Sequence, residues 1–184
     1  MQKGLMLIIS GPAGSGKGTV NAHLLGTGDF VYSVSATTRA PREGEQDGVN
    51  YYFVSHETFR QMIENGEFVE YDDHMKNYYG TPRRQLDEKL EKGDVILDIE
   101  PVGAFNVQAQ CPEAVLIFIA PPSYEELERR LRSRGDTPED QIQVRLERAR
   151  WEMEQSQKYD YIVINDQVEA CADEILKIIA EKAD

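Results

Sequence analysis

The sequence predicts an α/β fold with a parallel sheet between helices. Short apolar runs alternate along the chain with longer segments of helical periodicity, and this alternation is typical of a parallel sheet. The run at 115–120 (VLIFIA) is continuously apolar, as in strands that are buried on both faces. The chain has 184 residues, enough for one domain with a sizeable core.

The first half of the chain contains short strands separated by turn-rich segments. Apolar, β-branched and aromatic residues predict strands at 5–9, 30–35, 51–54 and 67–71. Helical segments are predicted at 19–25 and between Ser55, a capping residue, and Gly66. An aromatic turn is predicted at 77–81. The long polar stretch 36–50 is predicted to be a functional loop, because such loops are uncommon inside compact domains.

The second half alternates more regularly. Apolar residues at helical spacing predict helices at 82–90, 101–110, 123–134, 139–157 and 168–180. Buried runs predict strands at 94–100, 115–120 and 161–164. Residues 35–81 are interpreted as a small inserted lobe and 123–150 as an arginine-rich helical lid, while the core of the single domain 1–184 comprises 1–34, 82–122 and 151–184.

The composition restricts the class of partner. Asp plus Glu number 33 against 20 Lys plus Arg, a net charge of −13 that argues against generic binding of nucleic acid. Cys111 and Cys171 have no metal-ligand spacing and are expected to be reduced thiols. No stretch has the length of a membrane span or a secretory signal. We therefore expect a cytoplasmic protein, either a monomer or a small homo-oligomer.

A glycine-rich loop follows the first strand and indicates binding of a polyphosphate. It comprises Gly11, Pro12, Ala13, Gly14, Ser15, Gly16 and Lys17, followed by Gly18 and Thr19. Strand, loop and helix in this order direct several backbone N–H groups and the helix dipole at phosphates, and Lys17 adds a full charge. The alternative is a glycine-rich surface turn. The position after the lysine usually carries a Mg²⁺-binding hydroxyl but is Gly18 here, so either Thr19 or water would meet the metal.

Two arginines and one glutamate are further candidates. Arg39 and Arg42 are rigid forks suited to bidentate phosphate binding, although solvated loop charges would have the same pattern. Glu70 is a carboxylate in the predicted strand 67–71, two positions after Phe68. Taken alone, Glu70 is equally interpreted as an exposed strand residue.

Several motifs in one order resemble guanylate kinases, which are P-loop nucleoside monophosphate kinases. These motifs are the glycine loop, SATTRAPR (35–42), Gly44-Glu45, Tyr51, EFVE (67–70), NYYGT (77–81), LDIE (97–100), IAPPS (119–123), Arg134-Gly135 and VIND (163–166). The resemblance implies a P-loop NTPase-type core with a GMP-binding lobe and a lid. It also implies the reaction ATP + GMP giving ADP + GDP with Mg²⁺.

The resemblance assigns roles residue by residue. ATP would be bound by the glycine loop (11–19), with Asn165 near the adenine. The GMP site would comprise Ser35, Arg39, Arg42, Tyr51, Glu70, Tyr79, Thr81, Asp98 and Glu100. The catalytic cations would be Lys17, Arg39, Arg130, Arg134 and Arg145. Glu70 would select the base, because its carboxylate can accept the adjacent N1–H and N2 donors of guanine, which adenine lacks. Thr81 would donate to guanine O6. Asp98 and Glu100 end a predicted strand, where ligands of such sheets bind, and would hold metal-bound water or contact the acceptor. The alternatives are a non-catalytic guanylate-kinase-like interaction module and a kinase for another base.

Overall fold

The computed structural model describes residues 4–74, 76–133 and 138–183, and it has the mixed α/β architecture that the sequence predicts. The strands are β1 (Met6–Ser10), β2 (Phe30–Tyr32), β3 (Ala36–Thr37), β4 (Tyr52–Phe53), β5 (Phe68–His74), β6 (Asn77–Pro82), β7 (Asp94–Asp98), β8 (Val115–Ala120) and β9 (Tyr161–Ile164). The helices are α1 (Lys17–Gly26), α2 (His56–Glu64), α3 (Arg83–Leu90), α4 (Pro101–Gln110), α5 (Tyr124–Ser133), α6 (Glu139–Gln155) and α7 (Val168–Ala183).

The strands form two sheets. The five-stranded sheet has the order β2-β7-β1-β8-β9, and its β2–β7 and β8–β9 pairs are parallel. The four-stranded sheet has the order β4-β3-β6-β5; β6 runs antiparallel to both β3 and β5, while β3 and β4 are parallel. In the part of the chain that the structure describes, no helix is long and apolar enough to cross a membrane.

The chain divides into two compact units. The first unit comprises residues 4–7 and Phe30–Ala114, and the second comprises Ile8–Asp29 and residues 115–183. In the first unit, Phe59 of α2 stacks on Phe68 of β5 with ring centroids 4.4 Å apart. In the second unit, apolar side chains of α5 and α6 form a cluster, and α1 packs on α7. The finer division into core, lobe and lid stays a prediction.

Local signals place several elements as predicted. The Ser55 hydroxyl accepts a hydrogen bond from the Thr58 amide at 3.0 Å and caps α2, which confirms the predicted start of this helix. Gly66, at φ +68°, follows the end of the same helix, again as predicted. The predicted bounds 101–110, 115–120 and 161–164 coincide with α4, β8 and β9.

The strand predicted at 30–35 is wrong as one element, because the chain changes sheets within it. The Ser33 amide still donates to the Ile96 carbonyl at 2.9 Å, next to the β2–β7 pair. The Ser35 carbonyl already accepts from the Tyr52 amide at 2.9 Å, beside the four-stranded sheet. A run of strand-forming residues cannot by itself reveal that its two ends pair with different partners.

The turn predicted at 77–81 is also wrong, because these residues belong to β6. His74 pairs with Asn77, so the chain reverses direction before the predicted turn. Glycine is typical of turns, but Gly80 lies within the sheet, where it allows the Phe68 ring to pack closely against the backbone of β6. A Cβ at this position would lie 2.9 Å from Cδ1 of Phe68, which is one of the reasons for which strands contain glycine.

Candidate active site

The glycine loop joins β1 to α1 and is closed by short backbone hydrogen bonds. The Ser15 amide donates to the Pro12 carbonyl at 3.0 Å, and α1 begins at Lys17. Gly16 has φ +86°, and a Cβ there would lie 2.3 Å from Nδ2 of Asn165, so a larger residue would strain the backbone and displace the Asn165 side chain. The loop therefore has the sharp turn and the adjoining helix N-terminus that bind phosphates.

Two more loop glycines pack against neighbouring elements of the second unit. A Cβ at Gly11 would lie 2.4 Å from the Ile119 carbonyl oxygen of β8. A Cβ at Gly14 would lie 3.0 Å from Leu127 and 3.1 Å from Leu131, both on α5. Ser15 is buried, Lys17 is half-buried, and Ala13, Gly18 and Thr19 are exposed. The loop thus rests on β8 and α5 while its Gly18-Thr19 end is open.

The carbonyl of Ser15 is tethered by two residues that are predicted to contact ATP. The Asn165 amide Nδ2 donates to it at 2.7 Å, and Arg130 Nη1 donates to it at 3.4 Å. Arg130 also donates to the Asn165 carbonyl through Nη1 and Nη2, each at 3.1 Å. Because a carbonyl oxygen repels phosphate, holding this one on the Asn165 side favours a loop with N–H groups presented to an anion. Asn165 is thus a support of the loop; contact with adenine stays a prediction.

The arginines predicted for the lid differ in their contacts and burial. Arg130 Nε donates to Glu126 at 2.8 Å, and hydrogen bonds from Arg129 and Arg130 lower the pKa of Glu126 to about 2. Arg145 lies half-buried on α6. Arg134 lies outside the described residues. The structure therefore brings one of the three, Arg130, to the glycine loop within the residues it describes.

In the first unit, the two arginines of the polar loop are organised by Glu45. Arg39 donates to the Glu45 carboxylate through Nη1 at 3.0 Å and Nη2 at 2.9 Å, a bidentate pair. The same carboxylate accepts from the Arg42 amide at 2.7 Å. This hydrogen bonding raises the pKa of Arg39 and lowers that of Glu45. Glu45 therefore fixes the direction of Arg39, whereas the Arg42 side chain is exposed.

The predicted phosphate-binding tyrosines lie beside Arg39. The rings of Tyr51 and Tyr79 meet edge to face with centroids 5.9 Å apart, and Cζ of Arg39 is 5.4 Å from the Tyr51 centroid. Arg39 donates a hydrogen bond to the Tyr79 hydroxyl oxygen, which contributes to the raised pKa of Arg39. Ser35 is buried just before β3. Arg39, Tyr51 and Tyr79 thus form one cationic and aromatic cluster, the Arg39 cluster.

Glu70 is a buried carboxylate with one hydroxyl partner. It is 7% exposed, and Thr81 Oγ1 donates to its Oε1 at 2.6 Å. Burial raises the pKa of Glu70 to about 7; the nearby Asp72 adds to this, and the Thr81 hydrogen bond opposes it. The alternative interpretation as an exposed strand residue is therefore wrong. The single O–H of Thr81 is given to Glu70, so donation to guanine O6 requires this hydroxyl to turn.

Asp98 and Glu100 lie at the end of β7 and at the start of α4. Asp98 is the last residue of the strand, and the Glu100 carbonyl accepts from the Ala104 amide at 2.9 Å as the helix begins. Burial raises the pKa of Tyr32, and the charge of Asp98 raises it further, followed by that of Tyr51. Tyr32 therefore lies within electrostatic range of both Asp98 and Tyr51.

The sequence does not identify which residues would bind a metal ion. Among residues 4–74, 76–133 and 138–183, side chains of His, Cys, Asp and Glu form no group of three or more that could hold a metal ion. Gly18 has open space where a Cβ would stand, and the exposed Thr19 hydroxyl is the next candidate on α1. Mg²⁺ commonly keeps several waters and binds through substrate phosphates, a mode that these residues fit.

Sequence reasoning gave no role to Glu45 or Glu126, although both hold a predicted arginine. Glu126 precedes Arg130 by four residues on α5, which is a helical ion-pair spacing that was available in the sequence. Glu45 lies six residues after Arg39 in an irregular loop, where no periodicity indicates contact.

Comparison with known proteins gives one consistent result. The guanylate kinase family model matches residues 3–182. The guanylate kinase of Clostridioides difficile (strain 630) is 49% identical over 99% of this chain and 90% of its own length. That of Streptococcus thermophilus (strain CNRZ 1066) is 46% identical over 97% of this chain and 87% of its own. The crystal structure of guanylate kinase from Anaplasma phagocytophilum is 36% identical, with a TM-score of 0.83 over 100% of this chain and 89% of that one.

Proposed function

Because the chain belongs to the guanylate kinase family, we propose that it transfers the γ-phosphoryl group of ATP to GMP, giving ADP and GDP. Mg²⁺ enters with the ATP as part of this substrate. The observation that carries the proposal beyond family membership is the buried Glu70 carboxylate with its Thr81 partner. Few folds bury an acidic group on a strand without a ligand or a cation to use it.

The guanine base would bind to Glu70. A carboxylate accepts the guanine N1–H and N2–H donors together, and in a buried site an adenine edge would leave it unpaired. The resulting discrimination against AMP is large, because the penalty falls on a desolvated charge. Thr81 supports this role by orienting Oε1, which accepts its hydroxyl at 2.6 Å.

The GMP phosphate would bind to the Arg39 cluster. Within the described residues, three N–H donors of Arg39 are used by Glu45 and the Ala40 carbonyl. A guanidinium has five donors, so two remain for Tyr79 and a phosphate oxygen. Arg42, whose amide is anchored by Glu45 while its side chain is exposed, would supply the second cation. Tyr51 and Ser35 complete this proposed site.

The ATP phosphates would bind to the glycine loop. The amides of residues 11–19 and the α1 dipole would surround them, and Lys17 would neutralise the β- and γ-phosphates. Arg130, with Arg134 and Arg145 as further candidates, would balance the charge that spreads over the transferred group. The acceptor oxygen of GMP is already anionic, so the reaction needs positioning and positive charge rather than a general base.

A coupled assay of ADP release with GMP, AMP, dTMP and UMP tests the proposal. We expect turnover with GMP to exceed that with the other acceptors by at least about 100-fold, because adenine has no ring N–H donor on this edge and thymine and uracil offer only the single N3–H. Turnover should stop with EDTA and return with Mg²⁺. If none of the four acceptors is phosphorylated, a non-catalytic interaction module is favoured. Preference for another base would overturn the role of Glu70.

We further propose a cytoplasmic location and a monomeric or small homo-oligomeric state. Cys111 and Cys171, which both lie in the described part of the chain, form no disulfide, as expected in a reducing compartment. Sedimentation with and without a reductant tests the oligomeric state and its independence of the thiols.

A further inference from the structure

The strand that carries Glu70 contains one extra residue. In the β5–β6 ladder, Phe68 pairs with Pro82 whereas Glu70 pairs with Thr81, so Val69 has no opposite residue. In a regular strand, residues two apart share a face. Here the bulge puts Phe68 on the face of the aromatic stack with Phe59 and turns Glu70 to the opposite face with Thr81. The direction of the Glu70 carboxylate therefore depends on this bulge.

Helix α4 holds the backbone of the bulge. The Gln110 amide Nε2 donates to the Val69 carbonyl at 2.7 Å, while its Oε1 accepts from Arg83 Nη2 at 3.0 Å. Arg83 Nη2 also lies 3.3 Å from the Phe68 carbonyl, to which it donates. The Phe68 and Val69 carbonyls, which precede Glu70, thus accept hydrogen bonds from side chains of α3 and α4.

The same helix contacts the carboxylate itself through a glycine. Gly103 precedes Gln110 by seven residues, so both lie on one face of α4. A Cβ at Gly103 would lie 2.6 Å from Oε2 and 3.1 Å from Cδ of Glu70. Glycine inside a helix is unfavourable relative to alanine, and here its benefit is room for Oε2. Thr81 contacts the other oxygen, Oε1.

We propose that Gly103 and Gln110 are positioning residues that set the direction of the Glu70 carboxylate and thereby the selectivity for guanine. Gln110 keeps the bulge in place, and Gly103 leaves the space that the carboxylate occupies. Neither residue would touch the nucleotide in this role. The inference rests on the proposed function, because that function supplies the guanine base as the group recognised. The contacts from which it is argued do not involve a ligand.

Gly103→Ala tests the close approach. To reach an ordinary contact of 3.4 Å, the Glu70 oxygen must move by about 0.8 Å, which is enough to break a hydrogen bond to a guanine donor. The oxygen ends a flexible side chain, so the fold should adapt. We expect the KM for GMP to rise about tenfold or more, with the KM for ATP unchanged within about twofold and the Tm equal or higher.

Gly26→Ala is the matched control, because Gly26 is also helical, lies at the end of α1, and a Cβ added to it would meet nothing within 4 Å. It should leave both KM values unchanged. If Gly103→Ala behaves in the same way, the inference is overturned. A lowered Tm with a comparable rise in both KM values would also overturn it, since that pattern indicates a packing role alone.

Gln110→Glu tests the bulge. The carboxylate retains an acceptor for Arg83 but has no donor for the Val69 carbonyl, so the KM for GMP should rise and the preference for GMP over AMP should fall. Gln108→Glu, the same change two residues earlier on α4, should have neither effect. An unchanged preference in Gln110→Glu would remove Gln110 from the proposal.

A measurement without nucleotide separates this inference from the proposed function. The carboxyl ¹³C resonance of Glu70 should change its shift and its titration midpoint in Gly103→Ala but not in Gly26→Ala. If the wild type phosphorylates no acceptor yet this change occurs, the proposed function fails and the positioning stands. If the wild type phosphorylates GMP and the resonance does not change, the positioning fails alone.

Discussion

Replacing Glu70 with Gln should stabilise the protein without nucleotide at alkaline pH while weakening its use of GMP. The Glu70 carboxyl is 7% exposed, and its burial raises its pKa from 4.5 to about 7. A tenfold change in an acid dissociation constant corresponds to about 1.4 kcal/mol, so the ionised carboxylate lowers the unfolding free energy by about 3 kcal/mol above neutral pH. A neutral amide of the same shape avoids this penalty.

The sign follows from proton binding. As the pH rises from 4.5 towards about 7, the folded protein retains a proton on Glu70 that the unfolded chain has lost. Stability therefore decreases with pH across this window and levels off above it. Below the window both states are protonated and the penalty disappears. The unfolding free energy of the Gln variant should be close to that of the wild type at the acidic end of this window. It should exceed the wild-type value by about 3 kcal/mol at about pH 8.

Urea denaturation followed by circular dichroism at about pH 5 and about pH 8 measures this difference. Comparing each variant with the wild type at the same pH cancels the other titrating groups. Asp73→Asn is the control, because Asp73 is an exposed carboxylate on the same strand. It removes the same charge without relieving burial, and its effect should be small at both pH values.

Two results would refute this reasoning. One is a Gln variant with the same stability difference from wild type at both pH values, which would mean that Glu70 does not titrate as a buried group. The other is an equal gain from Asp73→Asn, which would assign the effect to the net charge of −13. In either case the stability penalty assigned to the buried Glu70 carboxylate would be wrong.

Three further predictions concern the other proposed contacts. Glu45→Gln should raise the KM for GMP about tenfold and leave the KM for ATP unchanged, because Arg39 loses its bidentate partner. Steady-state kinetics with each substrate varied in turn measures the two KM values. An equal rise in both would contradict the prediction. Asn165→Ala should lower the unfolding free energy by about 1–3 kcal/mol and weaken ATP binding, since the buried Ser15 carbonyl loses the nearer of its two donors. Denaturation and calorimetry measure the two effects, and unchanged ATP affinity would exclude the supporting role. Lys17→Ala should abolish turnover with an unchanged circular dichroism spectrum, and a normal rate would discard the role of the glycine loop.

Those elements whose signals are local could be predicted from the sequence. Strand β8 is apolar at every position and is buried from end to end apart from Ala120. Helix α2 has a capping serine at its start and a glycine after its end, and both act as expected. The glycine loop also has a local signal, because its function resides in the backbone geometry of consecutive residues.

Features that depend on distant partners could not be predicted. The bulge at Val69 appears only when β5 is aligned with β6, and Gly80 looks like a turn residue until Phe68 is placed beside it. The contact between Asn165 and Ser15 joins residues 150 positions apart. For the same reason, the surroundings of Glu70 could not be derived from its strand, because simple alternation places Glu70 on the face of Phe68 and not on that of Thr81.

The packing of Gly14 on Leu127 and Leu131 has a consequence for engineering. The two leucines belong to the apolar cluster of α5 and α6, and they also form the surface on which the glycine loop rests. A larger or smaller side chain at either position would change the platform beneath the loop as well as the stability of the helices. Attempts to thermostabilise this helical pair are therefore best screened by nucleotide affinity first, because melting temperature alone does not report a displacement of the loop.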